Sequence, residues 1–231
     1  MRYDSIAVLR NCCNAQGVKV ITLAGQKGGC GKSSLAISCA VLAAHNSKRV
    51  LVLDADPQAT ALQWHSGRNG DPPEVRGVSP SELEQTLQLL PREGFDFVFI
   101  DTPGQDHSAV AIAIRGAVLT LIPCRPTMAD IRAMLLTATA ATNLKQPYAF
   151  VLTQVPPRGT RADESAAALA ELGEVAPIRL GQRMAWQDSY AANLGVSEYD
   201  AAGPAARELA ALWRWLNARL KGLTDAHPTT H

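Results

Sequence analysis

A doubly wound, mostly parallel α/β sheet flanked by helices on both faces is the fold this sequence predicts, on three observations. Apolar runs of strand length alternate with longer helix-like stretches along most of the chain, the order of a parallel sheet built from strand–helix–strand units. Runs such as Val50-Leu51-Val52-Leu53 are solidly apolar, as expected of strands covered on both sides. A glycine-rich segment lies between the first strand and the first helix, which is where a strand–loop–helix unit places a phosphate-binding turn.

The elements follow in order. Residues 18–24 are an apolar strand and 33–44 a helix. Residues 49–54 read as a buried strand ending in Asp54-Ala55-Asp56, with Pro57 stopping further pairing. A short helix is expected over 58–65, then a Gly/Pro-rich loop over 67–78. Ser79-Pro80-Ser81-Glu82 has cap, first-turn proline and acidic residue in the order that starts a helix, expected to run to residue 90. Residues 95–101 form another apolar strand ended by a carboxylate, Asp101. Strands at 118–123 and 148–153 flank a helix at 129–142, and helices at 162–172 and 204–220 complete the pattern. One domain is expected over 18–222, with a flexible extension at 1–17 and a flexible polar tail at 223–231.

Bulk properties narrow the class. A chain of 231 residues suits one α/β domain with a substantial core. With 47% hydrophobic residues, 19% charged residues and a net charge of +1, it reads as an ordinary soluble globular protein. No run approaches the ~20 apolar residues of a membrane span, and the first 17 residues lack the apolar core and cleavage site of a signal peptide. The five cysteines, at 12, 13, 30, 39 and 124, show neither a C-x-x-C pair nor a zinc spacing. A reducing cytoplasm fits them.

The chemistry concentrates in Lys27-Gly28-Gly29-Cys30-Gly31-Lys32-Ser33-Ser34. Residues 25–33 come close to G-x-x-x-x-G-K-[ST], with five residues rather than four between Gly25 and Gly31, and the glycines let backbone N–H groups turn inward onto phosphates. The helix N-terminus that follows adds partial positive charge. Lys32 is expected to reach the outer phosphates and Ser33 to ligate Mg²⁺. Cys30, beside two lysines and a helix N-terminus, is expected to have a lowered thiol pKa.

Lys27 makes the run K-G-G-x-G-K-[ST], which resembles the deviant phosphate loop of the ParA/MinD family of ATPases. The resemblance covers residues 18–221 and is strengthened by Asp54-Ala55-Asp56-Pro57-Gln58 and by Ile100-Asp101-Thr102-Pro103-Gly104. It implies ATP and Mg²⁺ as cofactors, with Gly28, Gly29, Cys30, Gly31, Lys32, Ser33 and Ser34 around the phosphates. Lys32 and Asp56 would be catalytic, Asp56 orienting the attacking water, and Lys27 would act across a homodimer on the partner's nucleotide. Ser33, Asp54 and Asp101 would serve the metal, and Gln154 and Pro156 would pack on the base, with Thr153 standing where many relatives have asparagine.

The resemblance further implies an ATP-sandwich dimer that binds nonspecific double-stranded DNA and moves a cargo, with a ParB-like adaptor stimulating hydrolysis. The setting would be cytoplasmic and nucleoid-associated. Arg183 and Arg207 are the candidate DNA contacts, although residues 151–231 hold eight Lys/Arg against nine Asp/Glu. Without the long N-terminal extension of large plasmid ParA proteins, repressor activity is not expected. The alternative is a MinD-like membrane-surface ATPase, since Leu209, Leu212, Trp213, Leu216 and Leu220 fall at helical spacing with Arg214, Arg219 and Lys221 around them. Core packing gives the same stripe, and the Pro57-Gln58 pair favours the ParA type.

Overall fold

The computed structural model describes residues 17–225; the extension at 1–16, with Cys12 and Cys13, and the tail at 226–231 lie outside them. The chain runs β1 (Lys19–Leu23), α1 (Lys32–His45), β2 (Val50–Asp54), α2 (Thr60–Ser66), β3 (Glu74–Gly77) and α3 (Leu83–Leu89). It continues through β4 (Phe97–Asp101), α4 (His107–Gly116), β5 (Leu119–Cys124), α5 (Met128–Asn143), β6 (Tyr148–Leu152) and α6 (Arg161–Ala170). β7 (Glu174–Val175), α7 (Ala185–Ala191), α8 (Val196–Tyr199) and α9 (Pro204–Asp225) complete it. The seven strands form one parallel sheet in the order β3-β2-β4-β1-β5-β6-β7.

The strand period of two decides what each face holds. Ile21, Leu23, Val50, Val52, Phe97 and Phe99 pack with residues of α1 and α9. Val20, Leu51, Leu53, Val98 and Ile100 pack with Leu83 and Leu87 of α3 and Ala113 of α4. Asp54 and Asp101 continue the first series, so both carboxylates end their strands on the α1 face. The register sets Asp54 directly beside Asp101.

Several elements differ from the sequence-based expectation. The Gly/Pro-rich loop contains the edge strand β3. The helix expected from residue 79 begins at Leu83, because Ser79 and Glu82 close on each other as a separate turn, with Ser79 Oγ donating to Glu82 Oε2 at 2.5 Å. Helix α4 was not foreseen; Asp106 caps it by accepting from the Ser108 and Ala109 N–H groups. Strand β7 and helices α7 and α8 are likewise additions, and α9 extends past the expected boundary to Asp225.

The leucine stripe of α9 belongs to the core. Leu209, Leu212, Leu216 and Leu220 are each 0% exposed, and the Trp213 ring lies 5.0 Å from that of Phe97. Among the described residues no helix is long and apolar enough to cross a membrane. Leu212→Ala should therefore cost about 2–5 kcal/mol through the cavity it leaves, seen as a fall in Tm of roughly 5–15 °C in a thermal melt.

Candidate nucleotide site

The turn between β1 and α1 is shaped by glycine. Gly29 has φ +73° and Gly31 φ +96°, left-handed values that L side chains rarely adopt. A Cβ on Gly28, Gly29 or Gly31 would meet no protein atom within 4 Å. These positions face open space, and Gly29 and Gly31 border the cavity beside the loop. Gly31 is the N-cap of α1 and no side chain caps that end, so the first-turn N–H groups are left to an anion.

The loop is clasped from the segment just after β6, two strands away from β1 in the sheet. Thr153 Oγ1 donates to the Cys30 carbonyl at 2.8 Å, and Gln154 Nε2 donates to the Gly29 carbonyl at 2.6 Å. Both residues line a cavity of about 450 Å³ with Gly29, Gly31, Ser34 and Leu35. Pro156 is exposed and does not line it. Cys30 is fully buried, with Sγ donating to the Lys27 carbonyl. Burial raises its thiol pKa despite the nearby Lys32, which corrects the expectation of an activated thiol.

The carboxylates divide the work. Asp101 is 0% exposed, and neither of its oxygens has a hydrogen-bond partner among the described residues. Burial pushes its pKa up to about 7, the neighbouring Asp54 adding to the rise while the Ser33 hydroxyl and Lys32 oppose it. A buried carboxylate beside a serine and a lysine is satisfied by a proton or by a cation. Ser33 and Asp101 therefore fit Mg²⁺, a hard cation that takes few protein oxygens and keeps its waters.

Asp54 has a different task. Its Oδ2 accepts from Ala61 N at 2.8 Å and Leu62 N at 3.0 Å, and its Oδ1 from Asp56 N at 3.2 Å. Its oxygens are thus engaged by the backbone at and before the first turn of α2, whereas Asp101, in the same expected metal set, accepts no such bonds. Burial nonetheless keeps its pKa raised. Asp56 sits half-buried at the mouth of the turn, its Oδ1 accepting from Gln58 N at 3.0 Å.

Lys32 is 7% exposed, and Lys27 stands outside it with its side chain 41% exposed. Lys27 Nζ lies 3.9 Å from Asp130. Burial works against the charge of Asp130, but Arg125, at 2.8 and 3.0 Å, and Thr127 outweigh it and hold its carboxyl below the usual range.

The far end of the cavity was not legible beforehand. Thr60, Leu180, Gln182, Arg183, Trp186, Gln187 and Tyr190 line it, a mixture of flat aromatic and amide groups suited to a base and sugar. The one available signal was Trp186 and Tyr190 four residues apart, which share a helix face. Arg183, expected on DNA, borders this cavity and is paired with Glu208 through Nε and Nη2. Its side chain remains partly exposed, and the pairing holds the guanidinium firmly in its charged form. Arg207 is exposed and donates to the Ala202 carbonyl.

Residues 21–193 match the CobQ/CobB/MinD/ParA nucleotide binding domain. The chain belongs to this family. Among relatives of this ParA/MinD-type chain, "Maintenance of carboxysome distribution protein A" of Gloeobacter kilaueensis is 28% identical over 67% of this chain and 72% of that protein. "Protein ParA" of Rhizobium radiobacter is 33% identical over 60% of this chain and 65% of its own length. The MinD of the MinC:MinD cell division complex from Aquifex aeolicus superposes with a TM-score of 0.72 at 16% identity, covering 87% of this chain and 96% of that one. That likeness establishes the fold alone.

In nucleotide- and magnesium-free protein, the raised pKa of Asp101 means the fold binds a proton the unfolded chain has released. Stability should then fall as pH rises from about 4 to 7, by at most roughly 1.4 kcal/mol per unit. Asp101→Asn should flatten that dependence in urea titrations across the range, and should abolish the gain in Tm that Mg²⁺ adds to bound nucleotide.

Proposed function

We propose that this chain is an ATP hydrolase of the ParA type. It dimerises around ATP, holds nonspecific duplex DNA in that state, and partitions or positions a cargo whose ParB-like adaptor stimulates hydrolysis. The observation that carries this reading is the orphaned Asp101 carboxylate beside Lys32 and Ser33, under a glycine cradle open at a helix N-terminus. That set suits Mg²⁺ and a triphosphate. When bound, the metal would neutralise charge on the outer phosphates. Lys32 binds the same phosphates from within the subunit. Asp56 orients the attacking water, and Lys27, solvent-accessible beside the cradle, reaches the nucleotide held by a second subunit, as a cation supplied in trans.

Two observations favour the ParA type over a membrane-surface relative. The Asp56-Pro57-Gln58 run follows the second strand. The apolar stripe of α9 is spent on the sheet, which leaves that helix without the face a bilayer would take. The names of the carboxysome-distribution and ParA relatives support a cargo-positioning role; its setting would be the cytoplasm, at the nucleoid. DNA phosphates would then be met by Arg207 and by Arg214, which is exposed on α9, with salt-sensitive and sequence-indifferent affinity.

The test is retention of random-sequence duplex DNA at near-physiological salt with ATP·Mg²⁺ against ADP·Mg²⁺. Retention only with ATP is expected; no binding in either state would refute the DNA-bound form. Lys32→Ala should weaken nucleotide binding about 10- to 100-fold, the worth of a charge-assisted contact, as measured by calorimetry. Lys27→Ala should keep ATP while losing adaptor-stimulated turnover. Asp56→Ala should accumulate as an ATP-bound dimer on a sizing column, and a monomer in ATP would remove the water-orienting assignment.

A further inference from the structure

Helix α2 begins four residues after Asp56, and the structure ties it to α7 and α8 at both ends. At its start, Tyr190 Oη on α7 donates to the Thr60 carbonyl at 3.1 Å. At its end, Trp64 Nε1 donates to Leu194 O at 3.2 Å, and Arg68 donates to Asn193 O at 2.9 Å. The Arg68 guanidinium also grips Glu198 on α8 with two bonds, of 2.8 and 2.9 Å, and lies over the Trp64 ring at 4.7 Å. Arg68 is 6% exposed, so these contacts are shielded from water and salt.

Tyr190 belongs to two places at once. Its ring lines the far end of the cavity with Trp186, while its hydroxyl holds the backbone of the first turn of α2. That same turn is held from the opposite side by Asp54, through Ala61 N and Leu62 N. Between them lies Ala59 at φ +52°, a left-handed value for a residue with a Cβ, whose N–H donates to the Asp56 carbonyl at 2.8 Å. A strained residue persists only where its surroundings over-determine it, and here Asp54 and Tyr190 supply that constraint.

We infer that Tyr190 is a positioning residue: it couples occupancy of the base end of the cavity to the backbone segment that sets Asp56. The inference rests on the proposed ATP hydrolysis and deepens it. A base seated against Trp186 and Tyr190 steadies α7. Tyr190 passes that order to Thr60, and Asp56 is held where an attacking water needs it. The coupling is a matter of populations: the bound base lowers the fraction of molecules in which residues 56–62 open.

Tyr190→Phe keeps the ring in the cavity and removes only the bond to Thr60. Amide hydrogen exchange is followed in the full chain with and without ADP·Mg²⁺, together with steady-state ATPase kinetics. In the natural protein, ADP should slow exchange both in the phosphate loop and over residues 58–66. In the variant the loop should still be protected, with the slowing over 58–66 lost. Its kcat should fall about threefold to tenfold, the worth of one hydrogen bond, with KM unchanged within about a factor of two. Unchanged protection over 58–66, an unchanged kcat, or a loss confined to KM overturns the inference. A natural protein that binds no nucleotide overturns the proposed function itself, which separates the two failures.

Discussion

The carboxylate of Asp101 is the constraint around which the rest is arranged. It ends the strand between β1 and β2 in the sheet order and has no hydrogen-bond partner among the described residues. A single parallel sheet brings it to the edge from which the phosphate loop springs, and the strand period turns it toward α1. Burial that would be a defect in a structural residue becomes useful at a cation site, because low local dielectric strengthens the attraction it is kept for. The fold accepts that cost in one place and offsets it through an apolar core on either face of the sheet.

Much of this was legible in the sequence for identifiable reasons. Solid apolar runs ending in aspartate can hardly be anything but buried strands, and a glycine loop between strand and helix has few alternatives. The fold class and the phosphate end of the site therefore followed from local patterns. Division of labour between Asp54 and Asp101 did not, since both are strand-end carboxylates and only the three-dimensional path of α2 shows which one is already bonded. The pairing of Arg183 was hidden for a related reason: its partner Glu208 lies on α9, 25 residues on in sequence. Strand β3 and helix α4 were missed because the one is four residues inside a Gly/Pro-rich loop and the other a ten-residue helix close behind the turn that follows Asp101.

The site has two ends made in different ways. At the phosphate end, backbone dihedrals and helix geometry do the recognising. At the other, side chains of the stretch after β7 do it, carried on the short helix α7 and joined by long-range bonds to the helix that follows Asp56. Long-range ties of this kind leave no local trace, which explains why the second end was hidden while the first was plain.

The open space beside Gly28, Gly29 and Gly31 carries a last consequence. No protein atom packs against the positions where their side chains would be, so the loop owes its shape to its own dihedrals and to the clasp from Thr153 and Gln154. Its form is thus fixed before a ligand arrives, and association need not be preceded by ordering the loop. A side chain at Gly29 or Gly31 would be opposed by backbone strain rather than by collision, whereas at Gly28 it would meet open space.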